Sequence, residues 1–286
     1  MNSNPTMLNK IVLITGATHG IGLITAQSLA DLGATTLVVG RNPQKVTRVV
    51  DEIRTQTGNP NVSGFVADLS VLAEVRSLAQ QVRSQINHLD VLVNNVGAYF
   101  TRHETTRDGL EMTFALNHLS GFLLTNLLMD LLKASPSARI VNVSSLAHQG
   151  AHLDFNDLQR QRGYSGWKAY AQSKLMNLYF TYELACRLQG SPVTVNALHP
   201  GFVATNLGAS NGGIFRRMFK LFTKLVAISP KEGAQTSIYL ASSPEVEHVS
   251  GKYFSKSRIV PSSPASHNEA AARQLWEISA RITNLA

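Results

Sequence analysis

A short aliphatic run followed by a glycine-rich turn restricts the fold of this chain more than any other feature of its sequence. The run is Ile11-Val12-Leu13-Ile14, and its β-branched and aliphatic residues predict a buried strand. It leads into Thr15-Gly16-Ala17-Thr18-His19-Gly20-Ile21-Gly22. Apolar residues then recur at helical spacing over residues 21–32, and Gly33 is a typical helix end. The segment therefore predicts a strand, a tight turn and a helix.

The glycines of this turn suit the binding of a phosphate group. Glycine lets the backbone turn tightly and approach a pyrophosphate closely, and the following helix offers N–H donors and a positive dipole end. The spacing is Gly16, three residues, Gly20, one residue, Gly22, which differs from the commoner Gly-x-Gly-x-x-Gly of dinucleotide sites. Taken alone, the stretch is also compatible with a tight turn that binds nothing.

The alternation of strand and helix continues along the chain. Further strands are predicted at 35–39, 62–67, 91–93, 139–143, 193–197 and 252–254. Helices are predicted at about 43–57, 72–86, 108–132, 167–188, 230–241 and 268–282. Such alternation implies right-handed crossovers and a parallel sheet. We expect one α/β domain over residues 1–286, doubly wound, with about seven strands and helices on both faces, preceded by a tail at 1–9.

Composition excludes several classes of protein. Of the 286 residues, 44% are hydrophobic and 15% charged, so the chain buries a full core. A single cysteine excludes an internal disulfide framework, and no run of eighteen apolar residues predicts a membrane span. The polar first residues do not resemble a signal peptide, which favours a cytoplasmic location. The net charge of +8 favours an anionic cofactor over nucleic acid, because no nucleic-acid module accompanies it.

The end of the second strand bears on the choice of cofactor. An acidic residue there would hydrogen-bond an adenosine ribose hydroxyl and favour NAD, but the positions hold Gly40 and Arg41. An arginine pairs well with a 2′-phosphate, and His19 is a candidate second donor. The sequence therefore favours NADP(H), although a surface cation is the simpler interpretation of Arg41.

Tyr170 and Lys174 are four residues apart on a predicted helix and so lie one turn from each other. A nearby ammonium favours the phenolate and lowers a phenol pKa by roughly 1–3 units from about 10. The pair would then act as a general acid or base near neutral pH. The same spacing also occurs on ordinary solvated helix faces.

Together these motifs resemble the short-chain dehydrogenase/reductase family, whose order and spacing they follow over most of the chain. The matching pieces are Thr15-Gly16-x-x-x-Gly20-Ile21-Gly22, Asn94-Asn95-Val96-Gly97, Asn117, Ser145, Tyr170-x-x-x-Lys174 and Pro200-Gly201. Val96 stands where the family usually has alanine. Within the family the chain is most similar to the retinol dehydrogenase-like branch, through residues 116–125, 139–145, 170–175, 232–237 and 250–254.

The resemblance implies a Rossmann fold and hydride transfer between a nicotinamide and a carbonyl or alcohol carbon. It implies that Tyr170 exchanges the substrate proton, and that Lys174 lowers the Tyr170 pKa and holds the nicotinamide ribose. Ser145, rather than Ser144, would orient the substrate oxygen, and Asn117 would hold a water linked to Lys174. The implied NADP(H) contacts are Gly16, Thr18, His19, Gly20, Ile21 and Gly22 in the turn, Arg41, Asp68 and Leu69 near adenine, Asn95 and Gly97 on the adenosine side, Tyr170 and Lys174, and Pro200, Val203 and Thr205 near the carboxamide.

The resemblance also bears on substrate and alternatives. It implies a small lipophilic aldehyde, ketone or alcohol, of the kind represented by retinal. One alternative is an enzyme like protochlorophyllide reductase, although its extra cysteines and added segment are missing from this sequence. A second alternative is a non-catalytic cofactor sensor, which usually loses the tyrosine or the lysine. By analogy, family members pair as homodimers or homotetramers through the helices that carry Asn117 and Tyr170.

Two further segments carry other hypotheses. Residues 206–229 are expected to form a substrate lid, and within them residues 214–226 hold a basic stripe and an apolar stripe at helical spacing, which also suits peripheral contact with an acidic membrane. His148 and His152 are four residues apart, with Asp154 the one carboxylate close to them. Because that ligand set is incomplete, no metal site is predicted, and both histidines are interpreted as loop residues on the substrate side.

Overall fold

A computed structural model describes residues 7–201 and 229–285, and its centre is a single twisted sheet. The strands are β1 (Ile11–Thr15), β2 (Thr35–Gly40), β3 (Val62–Val66), β4 (Val91–Asn94), β5 (Ala138–Val143), β6 (Val193–Leu198), β7 (Tyr253–Ser255) and β8 (Arg258–Ile259). Their order across the sheet is β3-β2-β1-β4-β5-β6-β7-β8. Strands β1 to β7 pair in parallel and β8 is antiparallel to β7. The predicted doubly wound fold is confirmed, with one short strand more than expected.

Helices cover both faces of this sheet. They are α1 (Gly20–Asp31), α2 (Pro43–Thr57), α3 (Leu72–Gln85), α4 (Met112–Phe114), α5 (Ser120–Leu127), α6 (Met129–Lys133), α7 (Gly166–Arg187), α8 (Pro230–Ser242) and α9 (Glu269–Ile282). Successive strand residues point to opposite faces, so Leu13 packs with α3 and α5, whereas Val12 and Ile14 pack with α1 and α2. Strand order reverses between β1 and β4, and ligands of such sheets bind at that point.

The long helix predicted over residues 108–132 is wrong in its details. Gly109 has a left-handed backbone (φ 75°), and the helix starts only at Met112, where the Glu111 side chain accepts hydrogen bonds from the Thr113 and Phe114 amides. A π-helical turn (Ala115–Leu119) then separates α4 from α5, and Leu128 interrupts the helical conformation between α5 and α6. The sequence reasoning assumed one continuous α-helix, because π turns are rare and occur mostly as single turns inside α-helices.

The C-terminal helix α9 packs against α7. Trp276 of α9 meets Phe122 of α5 edge to face at 4.9 Å and stacks on Phe180 of α7 at 5.9 Å. The Arg187 guanidinium lies 4.2 Å from the centre of the Trp276 ring. With the sheet on its other side, every residue of α7 over 169–181 is buried. The helix that carries the predicted catalytic pair is therefore enclosed along its middle.

Candidate active site

The structure brings four of the predicted catalytic residues to the carboxyl edge of the sheet. Ser145 lies two residues beyond β5, and Tyr170 and Lys174 lie on the first half of α7. Asn117 lies in the π turn that faces the end of β4. Right-handed crossovers put all of these elements on the same edge, although up to 57 positions separate them in sequence.

Tyr170 and Ser145 form the centre of this site. Tyr170 is buried, and the Ser145 side chain lies close enough to its phenol to influence its pKa. The neighbouring Ser144 hydroxyl is turned away and donates to the Lys174 carbonyl at 2.8 Å. Of the two serines, only Ser145 therefore offers a hydroxyl beside the phenol, which agrees with the choice implied by the family resemblance.

The Lys174 ammonium lies beneath the tyrosine ring. Nζ is 5.5 Å from the centre of the Tyr170 ring and donates to the Val143 carbonyl at 3.0 Å. A Cβ added to Gly97 would lie 3.2 Å from Nζ and 3.7 Å from Asn117 Oδ1. Gly97 thus permits a close approach of the lysine, and it lies beside Lys174 rather than on the far, adenosine side where the resemblance put it.

The expected lowering of the Tyr170 pKa is not found. Burial raises the pKa of the Tyr170 phenol to about 12, and the hydrogen bond from Ser145 opposes this rise only in part. Burial also lowers the pKa of Lys174 to about 8. Both groups have lost their hydrating water, and that loss disfavours either charged form more than the pair stabilises it. The spacing of four residues indicated proximity but carried no information on burial.

The Asn117 side chain is buried and hydrogen-bonded, mainly to the backbone of Ala98. Its amide accepts from the Ala98 N–H at 2.9 Å and donates to the Ala98 carbonyl at 2.9 Å and to Ser173 Oγ at 3.1 Å. These three bonds join the π turn to the loop after β4 and to α7. The position of Asn117 near Lys174 is compatible with its predicted role.

The turn between β1 and α1 has the form of a phosphate site. Gly16 (φ 64°) and Gly20 (φ 59°) both adopt left-handed backbone conformations. A Cβ on Gly22 would lie 2.4 Å from Asn95 Nδ2, so the turn is packed tightly against Asn95. No side chain caps the N-terminus of α1, and its first turn holds no acidic residue. Its N–H groups are thus available to a pyrophosphate, so the turn fits a dinucleotide.

Asn95 holds this turn in place. Its side-chain amide donates to the Thr15 carbonyl at 2.8 Å and to the Gly16 carbonyl at 3.3 Å. Thr15 Oγ1 in return accepts from the Asn95 and Val96 amides. The side chain of Asn95 therefore shapes the glycine turn, whereas the resemblance had assigned it a direct contact with adenosine.

The end of β2 carries positive charge and no carboxylate of its own. The Arg41 side chain is 78% exposed and its Nη1 lies 3.9 Å from Asp68 Oδ2. A Cβ on Gly40 would lie 2.4 Å from the Thr18 methyl group, so a larger residue requires Thr18 to move. Close packing of the turn and the Lys45 ammonium both lower the pKa of His19. Beside Arg41, Lys45 is thus a second cationic group here, which the sequence reasoning missed.

The predicted contacts after β3 and β6 have mixed outcomes. Asp68 Oδ1 accepts from the backbone amide and hydroxyl of Ser70, and Leu69 is buried in the core. Pro200 follows β6 at the same edge, and the Gly201 amide donates to His199 Nδ1. Val203, Thr205, the predicted lid at 206–228 and the stripes of 214–226 lie outside the described residues.

The interpretation of His148 as a substrate-side residue is wrong. Its ring is fully buried and points away from the phenol, toward Tyr253 and Ser263. Two apolar side chains are exposed near Tyr170 instead: Leu146 is 46% exposed, and Trp167 is 60% exposed with its ring 6.5 Å from that of Tyr170. Trp167 could have been found from its spacing, because it precedes Tyr170 by three residues on the same helix.

Two further properties concern the part of the chain that the structure describes. None of its helices combines the length and the hydropathy needed to cross a lipid bilayer. Within residues 7–201 and 229–285, no three His, Cys, Asp or Glu side chains are grouped closely enough to bind a metal ion.

Comparison with known proteins agrees with this fold. The family model for short chain dehydrogenase matches residues 10–212. Retinol dehydrogenase 13 from Mus musculus is 45% identical over 289 residues, covering 99% of this chain and 86% of that protein. An uncharacterized protein from Mycobacterium paratuberculosis has a TM-score of 0.80 and 32% identity, covering 99% of this chain and 96% of its own. An NAD(P)-dependent gluconate 5-dehydrogenase from Beutenbergia cavernae with bound NADP has a TM-score of 0.71 and 27% identity, covering 88% and 97%.

The fold and the grouping of serine, tyrosine and lysine define a dinucleotide-dependent oxidoreductase. The chain belongs to the short-chain dehydrogenase family, in its retinol dehydrogenase-like branch. It transfers hydride between a nicotinamide dinucleotide and a carbon of the CH–OH or C=O type.

Proposed function

We propose that the chain is an NADP(H)-dependent oxidoreductase for lipophilic aldehydes, ketones or alcohols, with Tyr170 as its general acid and base. The observation that carries this proposal is the grouping of Ser145 with the buried Tyr170 phenol, with the Lys174 ammonium 5.5 Å from the centre of the ring. These groups stand at the sheet edge where a nicotinamide bound along the glycine turn would end.

Each group has a separate task in this proposal. Ser145 donates a hydrogen bond to the substrate oxygen and holds it beside the phenol. Tyr170 gives its proton to that oxygen during reduction and takes it back during oxidation. Lys174 places a positive charge under the ring, which stabilises the phenolate left after proton transfer. When bound, the nicotinamide supplies the hydride donor or acceptor.

The protonation state of Tyr170 supports the role of proton donor. Because burial raises its pKa to about 12, the phenol carries its proton throughout the neutral range. A carbonyl that accepts hydride needs that proton at its oxygen, so the chain holds Tyr170 in the form that reduction requires. Oxidation needs the opposite form and is expected to become faster as the pH rises.

Three basic side chains around the end of β2 support NADP(H). Arg41 is largely exposed and is held only by a long ion pair with Asp68, and such surface pairs contribute about 0–1 kcal/mol. A phosphate would therefore attract the guanidinium at little cost. Lys45 adds positive charge beside the turn, and the neutral imidazole of His19 can donate a hydrogen bond there. Gly40 has no carboxylate of its own to bind a ribose hydroxyl at the end of β2.

The preference for a lipophilic substrate is supported by Leu146 and Trp167. Both side chains are large, apolar and exposed, and they flank Ser145 and Tyr170. A flat conjugated or aliphatic substrate that covers the indole ring would remove both from water, at about 25 cal/mol for each Å² of apolar surface. A small hydrophilic substrate would leave them hydrated.

The test combines a substrate panel with two variants. NADPH oxidation is followed by absorbance with aldehydes and ketones of increasing apolar size. Tyr170→Phe is expected to lower kcat by about 100- to 10,000-fold while the Kd for NADPH stays within about twofold. Turnover close to wild type in Tyr170→Phe would contradict the mechanism and favour another proton donor.

Arg41→Ala tests the cofactor. It is expected to raise the Kd for NADPH by roughly tenfold or more and to leave the Kd for NADH nearly unchanged, because only NADPH carries the 2′-phosphate. Arg48→Ala on the exposed side of α2 is the matched control, since it removes an equal charge that pairs with Glu52. Equal weakening of both cofactors by Arg41→Ala would refute the 2′-phosphate assignment.

A further inference from the structure

We infer that His148 is a positioning residue, which braces the backbone of Ser145 against the C-terminal segment at Ser263. The inference rests on the proposed function, because it concerns how Ser145 is held beside Tyr170. It is carried by the two hydrogen bonds of the His148 ring, which no part of the proposed chemistry uses.

Both ring nitrogens of His148 have partners. Nδ1 lies 2.6 Å from the Ser145 carbonyl oxygen, and Nε2 lies 3.1 Å from the Ser263 backbone nitrogen. A backbone N–H only donates, so Nε2 must accept and the ring proton must be on Nδ1. Nδ1 therefore donates to the Ser145 carbonyl. The contact with Ser263 selects the tautomer that allows the contact with Ser145.

The surroundings of His148 keep this arrangement neutral and rigid. The ring is fully buried and meets the Tyr253 ring edge to face at 5.1 Å. Burial lowers the pKa of His148, and the hydrogen bond to Ser145 only partly offsets that effect. His199 packs on the same tyrosine at 5.7 Å, and burial lowers its pKa as well. A neutral imidazole with one fixed donor and one fixed acceptor is the result.

The hydrogen bond from His148 holds the backbone of Ser145, and the position of this backbone sets the orientation of the Ser145 hydroxyl. Ser145 precedes a single 3₁₀ turn (Leu146–His148), and its carbonyl also accepts from the His148 amide at 3.2 Å. Its Oγ accepts from the Ala147 amide at 3.2 Å and lies near the Tyr170 phenol. A shift of this turn would move Oγ away from the phenol, and shifts of about 1 Å cost up to a hundredfold in rate.

Ser263 is suited to this role through its backbone alone. It has φ −62° and ψ 147°, and its buried hydroxyl makes no hydrogen bond. Proline adopts the same φ, but its Cδ takes the place of the N–H that faces Nε2 at 3.1 Å, so Ser263→Pro removes the donor and also displaces the imidazole. Ser263→Ala keeps the N–H and loses only the unused hydroxyl. The two variants therefore differ in whether the contact between Ser263 and His148 can form.

Two substitutions of His148 separate its two bonds. The amide nitrogen of an asparagine side chain takes the place of Nδ1, whereas the amide of a glutamine side chain takes the place of Nε2. We expect His148→Asn to keep kcat within about threefold, and His148→Gln to lower kcat by about tenfold or more. The Kd for NADPH and the KM for substrate should stay within about twofold in both, since neither ring nitrogen faces the ligands.

The two Ser263 variants test the inference even if His148→Gln does not fold. Ser263→Pro is expected to lower kcat by about tenfold, because it displaces the imidazole and removes the donor that fixes its tautomer, and Ser263→Ala is expected to match wild type. Full kcat in His148→Gln or in Ser263→Pro would overturn the brace, and so would equal losses in His148→Asn and His148→Gln. Ser145→Ala separates this failure from that of the proposed function: activity in Ser145→Ala refutes the catalytic assignment itself.

Discussion

Tyr170 and Lys174 are a proton donor and a cation that both lie out of contact with bulk water. Burial keeps the phenol protonated and lowers the pKa of the ammonium to about 8, so the site itself stabilises neither charge. The Val143 carbonyl is the fixed acceptor of the lysine. The site therefore carries the free-energy cost of a buried cation, which the placement of charge under Tyr170 requires.

This cost predicts a pH-dependent stability. The pKa of Lys174 is about 8 in the folded chain and near 10.5 when unfolded, so the unfolded chain binds more protons between these values. The free energy of unfolding of wild type relative to Lys174→Met is therefore expected to rise between pH 8 and about pH 10, by up to about 3 kcal/mol. Urea unfolding of both proteins across this range measures it.

A flat difference between the two proteins would show that Lys174 is hydrated or paired in the folded state. The comparison isolates Lys174 because Tyr170 is present in both. Its raised pKa acts in the opposite sense only above about pH 10, where the unfolded phenol ionises first. Lys168→Met is the matched control, since Lys168 lies on the same helix and is exposed.

At the scale of elements, the turn between β1 and α1 depends on contacts that later strands supply. Asn95, from the end of β4, donates to two carbonyls of this turn. The Ala17 amide donates to the Val39 carbonyl of β2 at 3.1 Å. The phosphate site is thus built where β1, β2 and β4 meet, which is also the point where strand order reverses.

Gly22→Ala tests this element. The added Cβ would lie 2.4 Å from Asn95 Nδ2 and 2.5 Å from the Gly16 carbonyl, so the turn must open. We expect the Kd for NADPH to rise by tenfold or more and the melting temperature to fall. Gly121→Ala is the control, because its nearest neighbour, Asn94, is 3.4 Å away and it lies within α5. Unchanged NADPH binding by Gly22→Ala would contradict the phosphate role.

At the scale of the whole molecule, α9 occupies the space beside the helices through which pairing was expected. Trp276 packs on Phe122 and Phe180, and residues 169–181 of α7 are buried within one chain. The His118 ring of the π turn adds a hydrogen bond to Ser279 Oγ of α9 at 3.0 Å. Pairing through the middle of α7 would require α9 to move away.

We therefore expect no association through α5 and α7. Sedimentation of the full chain at micromolar concentrations should give the mass of one chain. If it gives the mass of an oligomer, chemical cross-links between copies should lie outside these two helices. Cross-links between α7 of two copies would contradict this expectation.

Trp276→Ala should lower the free energy of unfolding by roughly 3 kcal/mol, because it removes an aromatic side chain that packs on two others and on Arg187.

The sequence alone was sufficient for the order of most helices and strands. Strand and helix periodicity follow from local alternation of apolar residues, so β1 to β7 and most helices lie within a few positions of their predicted ends. The exceptions are local: β8 has two residues and follows left-handed Lys256 and Ser257, and the π turn at Asn117 leaves no trace in the periodicity. The single domain and the lid at 206–229 remain predictions.

Burial and partner choice were decided only in the tertiary structure. A spacing of four residues brought Tyr170 and Lys174 together, but the enclosure of α7 set the direction of both pKa shifts. The Ser144 hydroxyl and the buried ring of His148 are hydrogen-bonded to Lys174 and Ser263, which are 30 and 115 residues distant. Local sequence encodes which groups are present, whereas solvation and hydrogen-bond partners depend on segments that only folding brings into contact.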